Sequence, residues 1–263
     1  MNRRALILGN MGIKQSNDCC YLEGVDKDLK NFYSFISSDN GGAWNEDEII
    51  CCKPNIINRT KLIDLIIHER EKNEIDYWLV FFSGHGWADK NGISYLELCP
   101  GEDYDCNISL NEFINVLGET RILLITDACR AIPIMESGGK IPSYKYFSYK
   151  NIETEYRKKC REIYCNQIMR LPLNTVYVGF SCKFGETSND NSSYGGEYIH
   201  AILSIAKLWI KEIQDGKYRK PIMLSYSFIH DLAKKEVSRK TFGKQNPIYQ
   251  CPKTYQPPFC VIP

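Results

Sequence analysis

No stretch of the 263-residue chain approaches the ~20 consecutive apolar residues that a membrane-crossing helix requires. There is no excess charge of either sign. The 33 Lys and Arg face 32 Asp and Glu, a net charge of +1, which removes any global argument for nucleic acid or an anionic membrane as partner. No CxxC pair occurs among the 12 cysteines, so neither a zinc knuckle nor a thioredoxin-type motif is available. Internal repeats and low-complexity tracts are also missing. At the N-terminus, "MNRRALILGNMG" sets two arginines before an apolar run, but "ALIL" is too short for a secretory signal and reads better as a strand stopped by a glycine turn. The expectation is a cytoplasmic protein, with no membrane or nucleic-acid partner. Most of its cysteines then serve as reduced, buried small hydrophobes.

What is present is a rhythm of strands and helices. "RALILGN" is short, β-compatible and glycine-stopped, and "GVDKDLKNFYSFISS" follows with Val25, Leu29, Phe32, Phe35 and Ile36 on one helical face. "DEIICCK" is a second strand, and "TKLIDLIIHEREKN" reads as a helix capped by its threonine. "DYWLVFFSG" and "TRILLITDA" are nearly unbroken apolar runs of the kind covered on both faces in a parallel sheet. Between them, "SLNEFINVLGE" carries a serine cap, a short amphipathic helix and a terminating glycine. "NTVYVGFSC" is a further central strand, "GGEYIHAILSIAKLWIKEIQDG" and "MLSYSFIHDLAKKEVSRK" are long amphipathic helices, and "QNPIYQC" is a closing edge strand. This alternation predicts one α/β domain with an open, mostly parallel sheet and helices on both faces. The rhythm breaks over residues 131–172, where "AIPIMESGGKIPSYKYFSYK" precedes the charged, helical "NIETEYRKKCREIYCNQIMR". A stretch this long between central strands reads as a functional loop or lid.

"FFSGHG" alone fits a tight turn as well as a chemical site, because glycine-flanked turns are common at strand ends. The second strand end decides it. His85 follows "DYWLVFFSG" and Cys129 follows "TRILLITDA", and ligands of open parallel sheets bind beyond the carboxyl ends of the strands. If the strands are neighbours, both side chains emerge on one edge. A free thiol, with a pKa of ~8.5, is mostly protonated at neutral pH, and an adjacent imidazole can take its proton and return it to a leaving amine. A glycine beside the histidine lets a backbone N–H approach a developing oxyanion. Acyl transfer is the natural reaction for such a set.

"FFSGHG" and "LLITDACRA", whose His85 and Cys129 stand 44 positions apart, resemble the two signatures of the caspase-type cysteine peptidases, and "DACR" is closest to the D-x-C pattern of metacaspases, paracaspases and their bacterial relatives. "LEGVDKDLKNF", "YVGFSCKFGETSN…GGEYIHAIL" and "QNPIYQ" resemble further segments of that family, so the likeness runs over most of residues 3–250. It implies a three-layer α/β/α sandwich with a six-stranded, mostly parallel sheet, in a single domain over 1–263. The large-subunit-like part is 1–135, the linker or lid 136–171 and the small-subunit-like part 172–263. It further implies a Cys129–His85 dyad without a third member, and an oxyanion hole formed by the N–H groups of Gly86 and Cys129.

The resemblance also implies a pocket that selects arginine or lysine before the cut. Asp28 and Asp127 match its acidic positions, and two carboxylates would attract a guanidinium or ammonium and repel an acidic side chain. Asp28 also fits an ordinary acid in the first turn of a helix. Ser181 and Glu186 are further pocket-wall candidates. Relatives of this type often use calcium, for which "WADKNG", "GEDYD" and Glu136 offer oxygen atoms. The dense acidic stretch that should follow the histidine is missing, so solvated loop acids are expected, with no metal site and no required cofactor. Lys140, Lys145, Lys150, Arg157, Lys158, Lys159 and Arg161 put basic residues into the linker. That leaves three readings open: self-cleavage, a lid moved by an activating protein partner, or a basic loop with neither role. The functional expectation is a cysteine endopeptidase acting on protein substrates with a basic residue before the cut. The alternative is a signalling or scaffold protein of a cell-death or host-defence pathway in which catalysis is dispensable.

Overall fold

The computed structural model describes residues 1–14, 21–101, 103–132, 152–217, 221–252 and 255–263. In chain order, β1 (Arg3–Asn10) leads to α1 (Val25–Ser37), β2 (Ile49–Cys51), α2 (Arg59–Lys72) and β3 (Tyr77–Gly84). Three short strands follow, β4 (Gly86–Ala88), β5 (Ser94–Glu97) and β6 (Asn107–Ser109), then α3 (Leu110–Leu117) and β7 (Arg121–Ala128). The second half holds α4 (Glu155–Met169), β8 (Thr175–Phe180), α5 (Glu197–Glu212), β9 (Ile222–Ser225), α6 (Tyr226–Lys240), β10 (Ile248–Gln250) and β11 (Pro258–Ile262).

The main sheet has six strands in the order β10-β8-β7-β3-β1-β2. All neighbours are parallel except the edge strand β10, which runs antiparallel to β8. Successive residues of a strand face opposite sides, and the core divides accordingly. Ile7, Leu79, Phe81, Leu123 and Ile125 pack against Leu29 and Phe32 of α1, Tyr164 of α4, Ile202 of α5 and Ile229 of α6. Leu8, Val80, Phe82, Ile122 and Leu124 pack against Leu62 and Ile66 of α2 and Phe113 of α3. Each unbroken apolar run thus feeds two cores at once, and the result is the expected α/β/α sandwich with a mostly parallel six-stranded sheet.

Several boundaries differ from the sequence expectation. The cap of α2 is Asn58, whose side chain accepts from the Lys61 N–H at 3.0 Å, whereas Thr60 lies inside the helix and donates its hydroxyl to Asp105 at 2.6 Å. The segment read as one helix from Met223 starts as β9, which pairs antiparallel with β11, and Ser225 then caps α6 through the Phe228 N–H. Within 131–172, the helix expected from the sequence is present as α4. Its inner face carries Arg157, Cys160, Tyr164 and Ile168, all buried. Lys140, Lys145 and Lys150 lie outside the described residues.

Two arginines fix α4 to the first half of the chain. Arg157 is 3% exposed and donates to the carbonyls of Ser37 at 2.8 Å and Trp44 at 2.9 Å. Arg161 donates to Glu48 at 2.7 Å, and Arg3 reaches the same carboxylate at 3.2 Å while its guanidinium lies 4.1 Å over the Trp44 ring. Burial alone would raise the pKa of Glu48, but the Arg161 hydrogen bonds and the Arg3 charge override it and bring the group from 4.5 down to about 2. A carboxylate with a depressed pKa stabilises the fold above its unfolded value and loses that contribution as pH falls through the folded one. Denaturant unfolding of the parent and Glu48→Gln proteins should therefore differ by roughly 3 kcal/mol near neutral pH. The gap should close between pH 4.5 and about 2. A gap constant across that window would remove this account of the anchor.

Candidate active site

β3 and β7 are adjacent and parallel, and their last residues, Gly84 and Ala128, are register partners. His85 and Cys129 are the next residue of each, so they leave the sheet side by side at its carboxyl edge. Gly84 has φ +145°, and a Cβ there would stand 2.4 Å from the Asn10 carbonyl oxygen, so only glycine lets β3 end this close to β1. At Gly86 a Cβ would meet the Tyr95 carbonyl oxygen at 2.9 Å and the Cys129 carbonyl oxygen at 3.1 Å. The Gly86 backbone is thereby pressed against the backbone of the cysteine.

The Cys129 thiol is partly buried and tied to Ser188. The Ser188 N–H donates to Sγ at 3.3 Å, and Sγ donates weakly to the Ser188 carbonyl at 3.7 Å. Burial pushes the thiol pKa up, the Ser188 N–H pulls it down, and the Asp127 charge pushes it up again. Cys129 therefore stays protonated at neutral pH unless a neighbouring group takes the proton.

Behind the thiol lies a pair of buried carboxylates at the N-terminus of α5. Asp28 and Asp127 are 1% and 5% exposed. The Gly196 N–H donates to both oxygens of Asp28 at 3.0 Å, and the Ile199 N–H donates to Asp127 at 2.9 Å. Ser83 adds a hydroxyl to Asp28 at 2.7 Å, and Ser188 adds one to Asp127. The glycine pair makes this approach possible: a Cβ would meet an Asp28 oxygen at 1.8 Å on Gly195, where φ is +99°, and an Asp127 oxygen at 2.4 Å on Gly196. Burial, then the Asp127 charge, holds the Asp28 carboxyl well above the usual range. Burial raises Asp127 to about 6 against the hydrogen bonds it accepts. Two desolvated carboxylates this close repel each other and favour an incoming cation.

Ser181 is fully buried, accepts from the Ala128 N–H at 3.2 Å and donates its hydroxyl to the Ala128 carbonyl at 3.1 Å. Glu186 accepts from the Lys183 N–H, the Asn246 N–H and the Asn246 Nδ2 at 3.1, 2.8 and 2.8 Å. It therefore joins the 183–189 loop to the turn before β10. Sequence reading missed Ser83, Ser188, Asp190 and Gln245. Gln245 is fully buried and donates to the Ser188 hydroxyl at 3.0 Å and the Ser181 carbonyl at 3.1 Å, fixing the loop that holds the thiol. Its place in "QNPIYQ" was the available signal.

The calcium candidates are scattered. Asp89 accepts from the Asn91 and Ile93 N–H groups of its own turn, Asp105 binds Thr60 of α2, and Glu102 and Glu136 lie outside the described residues. Among the described residues no group of three His, Cys, Asp or Glu side chains is arranged to hold a metal ion, and no helix is long and apolar enough to cross a membrane.

The sandwich is a cysteine peptidase-type fold. A family model of the caspase domain matches residues 2–257, and the chain belongs to the caspase-domain family. No curated protein matches the chain.

The contact between Gly196 and Asp127 can be measured by coupling. Gly196→Ala should cost roughly 1–3 kcal/mol of unfolding free energy in the parent and clearly less in an Asp127→Ala background, because the clash partner is then gone. Equal costs in the two backgrounds would show that the carboxylate does not enforce glycine here.

Proposed function

We propose that the protein is a cysteine endopeptidase that cuts after arginine or lysine, with Cys129 as nucleophile and His85 as general acid and base. The register of Gly84 with Ala128, which sets His85 beside Cys129, is the observation that carries this reading. His85 takes the thiol proton as sulfur attacks the substrate carbonyl. The N–H groups of Gly86 and Cys129 receive the oxyanion, and His85 then protonates the departing amine. Water, deprotonated by the same imidazole, releases the acyl group and restores the thiol.

Asp28 and Asp127 supply the selectivity. A guanidinium or ammonium entering beside them pairs with the Asp127 charge and favours ionisation of Asp28, whereas an aspartate would meet a like charge on Asp127. The grip of Ser188 on the thiol supports a latent resting state, released when a protein partner or self-cleavage shifts the 183–189 loop. Arg157 and Arg161 are unsuited as self-cleavage positions, since both are engaged in anchoring α4. Cutting at Lys140, Lys145 or Lys150 fits better. The ten described cysteines are all free thiols, which supports a reducing, cytoplasmic setting.

Fluorogenic arginyl, lysyl and aspartyl peptides, each with and without calcium, test the reading. Arginyl and lysyl peptides should be cleaved, and Cys129→Ala should abolish turnover. Asp127→Asn should cost 30-fold or more in kcat/KM on the arginyl peptide, from a lost buried charge contact worth about 2–5 kcal/mol. Because burial raises its pKa, Asp127 carries its charge only above about pH 6, so kcat/KM should fall as pH drops through about 6. Preference for the aspartyl peptide, or full activity in Cys129→Ala, would overturn the proposal.

A further inference from the structure

The strand that leaves His85 brings a carboxylate directly across from it. In the antiparallel β4–β5 pair, Gly86 faces Leu96 and Trp87 faces Tyr95, so the next register position sets His85 opposite Glu97. The ladder continues through that position, where the Glu97 N–H donates to the His85 carbonyl at 3.1 Å. Directly opposed residues of an antiparallel pair carry their side chains on one face, with Cβ atoms ~4.5–5.5 Å apart.

Neighbouring contacts identify that face. Trp87 stacks on Tyr95 with ring centres 4.1 Å apart, and its indole N–H donates to Asn107 Oδ1 at 3.0 Å. Asn107 is itself the register partner of Glu97. By alternation, His85 joins Trp87, and Glu97 joins Tyr95, while Leu96 and Ile108 point the other way into the core.

The Glu97 carboxyl is partly buried. Burial raises its pKa, and the His85 charge and the Asn10 side chain draw it back. Asn10, the last residue of β1, is fully buried; its Oδ1 accepts from the Gly12 N–H at 2.8 Å, and its Nδ2 has no full hydrogen bond. That donor acts on Glu97 through a contact weaker than a full bond. The other carboxylate acting on His85 is Asp190, fixed by the Gly24 N–H at 3.0 Å.

We propose that Glu97 is the positioning residue of His85, its carboxylate backed by Asn10 and set across the β4–β5 ladder so as to orient the imidazole beside Cys129. The catalytic meaning of this placement rests on the peptidase reading above. When Cys129 gives up its proton, the imidazolium forms between the Glu97 carboxylate and the new thiolate. The proton stays on His85 until the leaving amine takes it, and Glu97 remains ionised throughout.

The test compares the parent, Glu97→Gln and Glu97→Asp in two assays: alkylation of Cys129 by iodoacetamide at neutral pH, and hydrolysis of an arginyl peptide. Glu97→Gln should slow alkylation about tenfold and lower kcat about 10- to 100-fold, with KM within about twofold of the parent. Glu97→Asp should restore part of both. Slower alkylation in Glu97→Gln, with no peptide cleaved by any of the three proteins even after limited proteolysis of the linker, would keep Glu97 in this role and remove the peptidase reading. Unchanged alkylation and kcat in Glu97→Gln, or a loss confined to KM, would overturn the proposal.

Discussion

The N-terminus of α5 meets two buried carboxylates, and the site is organised around that meeting. Asp28 comes from α1, Asp127 from the end of β7, and the N–H groups of Gly196 and Ile199 receive them. Helix N-termini attract anions through their unpaired N–H groups and their dipole. Here the attraction joins both halves of the chain at the carboxyl edge of the sheet. Burial nevertheless dominates the electrostatics, since both carboxyl groups keep raised pKa values despite every hydrogen bond they accept. The arrangement joins the two halves by hydrogen bonds, disfavours the charged form of both acids and remains short of positive charge.

That shortage reaches the thiol. Asp127 stands two residues before Cys129 and helps to keep its sulfur protonated, while Ser188 binds both the Asp127 carboxylate and, through its backbone, the sulfur. Gln245 holds Ser188 in turn. A cation placed against the carboxylates would relieve the Asp127 charge that helps to keep the thiol protonated.

The central strands were legible because the middles of β1, β3, β7 and β8 are buried on both faces and carry unbroken apolar runs. The strand-end pair was legible for the same reason, since His85 and Cys129 stand where two such runs stop. Short or partly buried elements were harder to read. β9 carries no alternation and merges into α6, and β11 is a short apolar run near the chain end. α4 conceals its inner face because two of the residues that dock it, Arg157 and Arg161, are charged and find their partners more than 100 positions earlier. Ser188, Asp190 and Gln245 acquire their meaning only through contacts across the fold. Nothing in the local sequence around a serine marks it as the residue that will hold a thiol 59 positions away.

The most direct measurement of the central claim is covalent labelling of the intact protein with paired arginyl and aspartyl chloromethyl ketone peptides, read by mass spectrometry. The account predicts that the arginyl reagent modifies Cys129 alone among the cysteines, that Asp127→Asn removes its advantage over the aspartyl reagent, and that free arginyl peptide competes. Equal labelling by the two reagents, or modification spread over other cysteines, would contradict it.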